Sequence, residues 1–575
     1  MSLATILVLE TWWVGSEIRE QTGEFQFFAL VLTESGSVGD LSRVAGGLFL
    51  VVAVLGGAWV SRRVNDEEWL HGSARFSSWA DLQEAELLGS RGIVLGQVLS
   101  PVLKRHVALR HAGTEHVLVL GETRAGKTSE QLIPTLLSWT GDVVVVDPKG
   151  SELYLRTSGW LSRTHRILRF DPVRGDTRWN CMDEVQPGAS EVGELQILAE
   201  ALIPTRPKDE HFVMAGRQLW VGLALHTLYS GGTRSIAGTR DLLMGQESST
   251  TGKSGVHALA EQILAADHDP QGVYGWTDPE GKPSCVHPEA ARIARWVLAT
   301  PDKELGSIVS TVSLALQPWS DSRVVAATDA SDVALSRIRL DPKPSALFVS
   351  VPLEDLDRLK GLLRVLLTVV AKKFCETGIA DGGPTGLRRV LVVVDEFPAL
   401  GKLDYIGRML STLAAFGVTF VIAVQTYSQL KSLYGASESI SGGCPFLVAS
   451  ATKDIETLKF LQTLVGETTI VRKQVSRSSG NLQSAGQATT SSQQVRRPLL
   501  TQGELRTLPK DRGLVIAPKL QPILTKKRGY YRDPELNLRS VLPVARGEEL
   551  PGDSLWDGEQ PLRAELTVRK LFADA

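Results

Sequence analysis

Cysteine is scarce and scattered. Cys181, Cys285, Cys375 and Cys444 are the four thiols of a 575-residue chain, and no two stand at metal-ligand or redox spacing. That argues against a disulfide-stapled fold or a thiolate zinc module, and leaves four small apolar residues expected in a reducing compartment. A charge excess of one sign is missing too: 64 acids face 62 bases, a net charge of -2. The whole chain is therefore no generic polyanion binder, and any nucleic-acid contact must come from a local basic surface. With 43% hydrophobic and 22% charged residues the composition is globular. The length calls for about two to three domains.

Long uncharged runs are also few. The clearest is 44–60, VAGGLFLVVAVLGGAWV, followed by Ser61-Arg62-Arg63. It is at the short end of what a bilayer core of roughly 30 Å requires. Four glycines would weaken a buried soluble helix but are common in membrane helices, and the arginines behind it place the C-terminal bulk in the cytoplasm. More than forty residues precede the run and no small-residue cleavage site follows it, so it reads as an anchor rather than a signal peptide. The apolar pieces 3–9 and 27–32 are too short to cross alone, and Glu10, Glu17, Glu20 and Glu24 lie between them.

Beyond the anchor, HVLVLG leads into GETRAGKT, SEQLIPTLLSW has helical periodicity, and GDVVVVDPKG is a continuous apolar strand ending in turn chemistry. Strand, Gly-rich loop, helix and buried strand make a βαβ unit of a parallel sheet. Helix-period segments such as HFVMAGRQLWVGLALHTLY fill 188–300, and strand-like runs return at 345–351, 388–397, 418–425 and 445–450. The expected architecture is α/β: an anchor over 1–65, a nucleotide-binding domain over 66–187 and 301–545, an inserted all-α domain over 188–300, and a tail over 546–575. The Ser/Gln/Gly-rich stretch 473–494 has hardly an apolar residue and is expected to be a mobile loop.

The chemistry starts at the loop. Gly121, four residues, then Gly126-Lys127-Thr128 is the spacing of a phosphate-binding loop, with a strand before it and a helix after. Glycines let backbone N–H groups face the phosphates, Lys127 reaches the β/γ oxygens, and Thr128 offers its hydroxyl to Mg2+. The candidate nucleotide-binding set is Gly121, Glu122, Thr123, Arg124, Ala125, Gly126, Lys127, Thr128 and Ser129. Such a site also needs a carboxylate at the end of a neighbouring apolar strand, and LVVVDE supplies Asp395 for the metal and Glu396 as candidate general base. Gln425 closes VIAVQ and is a candidate reporter of hydrolysis; Asp147 and Lys149 end another strand and could line the same crevice. Arg496-Arg497 and Lys526-Lys527-Arg528 become a phosphate-contacting surface only if assembly turns them toward a common pore.

Together these landmarks resemble the TraG/TraD-type coupling proteins of type IV secretion and conjugation. The resemblance covers nearly all of the chain from His71 onward and is carried by HGSARF, GETRAGKT, VVVVDPKGSELY, DEFPALGKLD, AVQTYSQLKSLYG, KDIETLKFLQTLVGETT and RPLLTQGELRTLP. It implies a hexameric, ring-forming ATPase anchored in the bacterial inner membrane, with a RecA-like nucleotide domain and an all-α domain, binding ATP and Mg2+. Its implied cargo is a relaxase attached to single-stranded DNA, or protein effectors, delivered to the components of a type IV secretion channel. It also implies Lys127 and Thr128 as nucleotide and Mg2+ ligands, Asp395 and Glu396 as the second acidic motif, and Gln425 as the sensing glutamine. Two departures stand out. Many relatives have two membrane helices where one is convincing here, and an arginine that some relatives carry about eighteen residues past the acids is Ala414, with Arg408 and Arg364 as possible substitutes.

The alternative from another class is a nucleotide-binding receptor platform that docks protein cargo with little motor work. A double-stranded DNA pump of the chromosome-partitioning kind would share the sheet and ring, but no separate C-terminal DNA-reading module follows Pro551.

Overall fold

The computed structural model describes residues 72–551, apart from 149, 176, 206–208, 246–254, 378–386, 436–437 and 478–487. The anchor run 44–60, Lys149 and the tail beyond 551 lie outside the described residues. Among those described, no helix is long and apolar enough to cross a membrane.

An eleven-stranded sheet organises the larger unit. Its strands are β1 (Ile93–Leu99), β2 (His106–His111), β3 (Val117–Leu120), β4 (Asp142–Asp147), β5 (Arg166–Phe170), β6 (Ser345–Ser350), β7 (Val390–Val394), β8 (Val418–Val424) and β9 (Phe446–Ala449). A two-stranded ladder of β10 (Glu467–Arg477) and β11 (Ala488–Pro498) comes next in the chain, before β12 (Arg512–Ile516) and β13 (Ile523–Lys526) complete the large sheet. The order is β2-β1-β13-β12-β9-β3-β8-β7-β4-β6-β5. From β9 to β5 all neighbours are parallel; β12, β13, β1 and β2 extend the sheet antiparallel. The central strands β4, β7 and β8 are buried along their whole length, which is why they read as unbroken Val/Ile/Leu runs rather than alternating ones.

Between the adjacent parallel strands β5 and β6 the chain makes an all-helical excursion: Glu191–Leu202, Glu210–Tyr229, Ile236–Met244, Gly255–Ala265, Pro288–Ala299, Asp302–Leu316 and Ser322–Thr328. The helices run on past residue 300: Pro301 stands at the N-cap position of Asp302–Leu316, whose Leu305, Ile308, Val312 and Leu316 are all buried. Glu210–Tyr229 is apolar almost all round in its second half, the pattern of a helix enclosed by others. Its Gly222 sits at a close crossing, where a Cβ would stand 2.6 Å from Ile293 Cγ2.

The Ser/Gln-rich stretch is described only at its two ends, 478–487 lying outside the described residues. Residues 467–477 and 488–498 pair as β10 and β11, with Ser73 bridging to Thr468 in the same unit. A two-stranded ladder satisfies backbone groups without a buried face, and composition alone does not reveal it. The C-terminal segment continues along the body to its last described residues: Glu548 N–H donates to Ile167 O, and Leu550 N–H to Asp332 O.

Candidate nucleotide site

Parallel strands put their carboxyl ends on one edge, and the sheet order decides which loops meet there. β8 lies between β3 and β7, so the Gly-rich loop, Gln425 and the Asp395-Glu396 pair emerge side by side, with Asp147 one strand further on. Gly121 N–H donates to Val424 O at 3.1 Å and Asp395 N–H to Val146 O at 3.0 Å, extending the ladder to the site itself.

The loop turns sharply. Arg124 and Gly126 have φ of 63° and 89°, and the chain then enters a π-helical turn, Lys127–Leu132, before the α-helix Ile133–Leu136. A Cβ on Gly126 would collide with the Glu130 carboxylate at 2.3 Å, and the left-handed φ itself favours glycine, so this position has two reasons to lack a side chain. Lys127 is buried and its Nζ donates across the loop to Gly121 O. The Thr128 hydroxyl donates to Asp395 Oδ2 at 3.0 Å. Gln425 Nε2 donates to Glu396 Oε1 at 3.0 Å, and the Thr123 hydroxyl reaches Gln425 Oε1 at 3.4 Å. Asp395 and Glu396 are both buried, 3% and 6% exposed. Thr128 is thus tied to Asp395 and Thr123 to Gln425 across roughly three hundred residues of sequence, with Glu396 held by Gln425 and Lys127 folded back onto its own loop.

Other candidates go elsewhere. Glu122 turns away, its Oε1 accepting from the Thr452 hydroxyl at 3.0 Å and from Lys453 N–H at 2.5 Å, which fastens the loop to the segment after β9. Asp147 accepts from Leu153 N–H at 3.1 Å and so serves the first turn of the helix Glu152–Leu161. Arg124 is exposed at the loop tip. Arg408 makes a two-pronged pair with Glu200, both contacts 2.7 Å, and Arg364 is buried with its Nε donating to Ala201 O.

A family model described as type IV secretory system conjugative DNA transfer matches residues 75–550. The chain belongs to that family. A conjugal transfer protein TraG of Escherichia coli is 30% identical over 561 residues, covering 90% of this chain and 84% of that protein. The protein VirD4 of Rhizobium rhizogenes is 26% identical, covering 87% and 72%. Among solved structures, the plasmid coupling protein TrwB in complex with the ATP analogue ADPNP aligns with a TM-score of 0.58 at 18% identity, over 81% of this chain and 96% of that one. TrwB in complex with ADP and Mg2+ aligns with a TM-score of 0.55 at 16% identity, over 83% and 95%. At these identities the structural likeness is one of fold.

In this conjugative-transfer chain the residues near the loop that sequence reasoning does not single out are Glu130 and Lys527, the latter one of three bases whose role it leaves conditional on assembly. Lys527 is 6% exposed; its Nζ donates to Ala125 O inside the loop and lies 3.2 Å from Ser450 Oγ and 3.3 Å from Glu130 Oε2. Lys526 ends β13 opposite Arg512, and Arg528 donates to Arg532 O, so the three consecutive bases diverge. Strand alternation was the available signal, since Lys526 and Lys527 must face opposite sides of the sheet.

Proposed function

We propose that this chain is a membrane-anchored ATPase that assembles as a hexamer and drives relaxase-bound single-stranded DNA into a type IV secretion channel, with the bulk of each subunit on the cytoplasmic side of the inner membrane. The observation that carries the hydrolytic part is the single sheet edge that brings Lys127 and the Thr128–Asp395 contact beside the Thr123–Gln425–Glu396 contacts.

The donor set fits a magnesium nucleotide. Thr128 and Asp395 already stand together as hard oxygen donors of the type Mg2+ takes. Gly126 in a left-handed conformation, just ahead of the helical turn, exposes backbone N–H groups of the kind that hold phosphate. Thr128 and Asp395 would hold Mg2+, which when bound neutralises charge on the phosphate oxygens. Lys127 supplies the positive charge of the loop. Glu396, held by the Gln425 amide, would orient a water molecule and take its proton, and Gln425 links that carboxylate to Thr123 on the loop. TrwB, whose structures contain ADP with Mg2+ and an ATP analogue, has the same fold and supports ATP as the nucleotide.

The test is ATP turnover with and without single-stranded DNA, in the unaltered chain and in Lys127→Ala. DNA-stimulated turnover that the substitution abolishes is expected. Undiminished turnover in Lys127→Ala would sink the site assignment. Failure of single-stranded DNA both to bind and to stimulate would replace DNA cargo by protein cargo.

A further inference from the structure

In a planar trans peptide the carbonyl and the following N–H point in opposite directions. Whatever holds the Ala125 carbonyl therefore aims the Gly126 N–H. In this chain the holder is the Lys527 ammonium, which approaches from the antiparallel part of the sheet, just past the end of β13.

The route of that side chain is built. Its stem runs along Gly513, where an added Cβ would stand 3.3 Å from Lys527 Cγ and 3.4 Å from Cδ, so the neighbouring strand is kept bare beneath it. At the far end Glu130 provides the opposite charge at 3.3 Å and Ser450 a hydroxyl at 3.2 Å. Glu130 is itself anchored to the loop, its N–H donating to Gly126 O at 2.8 Å. Burial pushes the Glu130 carboxyl up while Lys527 opposes the shift. A buried ammonium needs such a partner and hydrogen-bond acceptors, and here it has a carboxylate as counter-charge and a carbonyl and a hydroxyl as acceptors.

We propose that Lys527 is a positioning residue of the phosphate loop, setting the orientation of the Ala125–Gly126 peptide, and through it the affinity for the nucleotide phosphates, from outside the site. This rests on the reading of the loop as an ATP site. Lys527 belongs to the nucleotide site rather than to a basic surface for nucleic acid, despite standing between two other bases.

The full-length chain with Lys527→Met, and with Lys526→Met as the neighbouring control, is assayed for KM and kcat with ATP and for binding of single-stranded DNA. Lys527→Met should raise KM about tenfold, the order of one charge-assisted hydrogen bond, with kcat at saturation largely kept. Lys526→Met should leave KM unchanged. If Lys527→Met alone fails to fold, Glu130→Gln/Lys527→Met removes both buried charges and is read the same way. An unchanged KM in the Lys527 variant, an equal rise in the Lys526 control, or lost DNA binding with KM intact each overturns the assignment. ATP binding absent from the unaltered chain overturns the nucleotide reading and this one with it; binding present there and equal in the Lys527 variant overturns this one alone.

Discussion

Glu396 has a backbone φ of 73°. The left-handed region costs a non-glycine residue about 1–2 kcal/mol, so the turn after β7 is held there by its surroundings. What it achieves is visible in the contacts: Asp395 faces Thr128 while Glu396, one residue on, faces Gln425. Two adjacent acids on an extended strand would point to opposite sides of the sheet. The division of labour predicts that Glu396→Gln keeps ATP affinity but lowers kcat by about 10²–10⁴, the range spanned by loss of a general base. Equilibrium binding of a fluorescent ATP analogue and single-turnover hydrolysis separate the two, and a parallel loss of affinity would mean that Glu396 holds ligand instead. Arg408 and Arg364, the substitute arginines, are both committed within the chain: one grips Glu200 and the other is buried against Ala201 O.

Helices of the excursion between β5 and β6 are joined by a chain of buried imidazoles. His268 Nδ1 accepts from His287 N–H at 3.1 Å, so a neutral His268 donates from Nε2 to His226 Nδ1 at 2.8 Å. His287 Nδ1 accepts from the first turn of Pro288–Ala299, which leaves its Nε2 to donate to Glu191 at 2.9 Å. Protonating His268 would destroy the acceptor that His287 N–H needs. Burial, then the neighbouring His226 and His287, hold His268 down to about 4. Above the ordinary histidine value the folded and unfolded chains are both neutral there and the group is silent. As pH falls below about 6.5 the unfolded chain takes up the proton first, so stability declines toward pH 4 by roughly 3 kcal/mol from this one group. Denaturant midpoints at pH 7, 5.5 and 4 should show the decline, with a shallower slope in His268→Gln; an identical slope in the variant would assign the acid sensitivity elsewhere.

At the scale of the whole molecule, Arg124 is exposed on the loop tip, whereas Arg408 and Arg364 are committed to contacts within the chain. If hexamerisation completes the site, ATPase activity per chain should rise steeply with chain concentration, because an arginine supplied by a neighbour is worth about 10³-fold or more. Turnover followed across a dilution series alongside light scattering checks this. Activity per chain that stays flat while the assembly dissociates would show that one subunit holds a complete site.

The sequence by itself determined the local parts: the phosphate loop, the two acids, the strands of the parallel sheet and the family motifs that carry them. Each is a pattern within a dozen residues, written by backbone geometry and by burial on both faces of a strand. Only the tertiary structure decided the rest. Placing β8 between β3 and β7 is a choice of strand order, which no local pattern encodes, and it is what joins Gln425 to Glu396 and Thr123. Three successive bases look alike in sequence, yet pairing of β12 with β13 buries Lys527 against Ala125 and Glu130, some four hundred residues earlier in the chain. Charge is legible residue by residue, but its partner is set by which strand lies alongside.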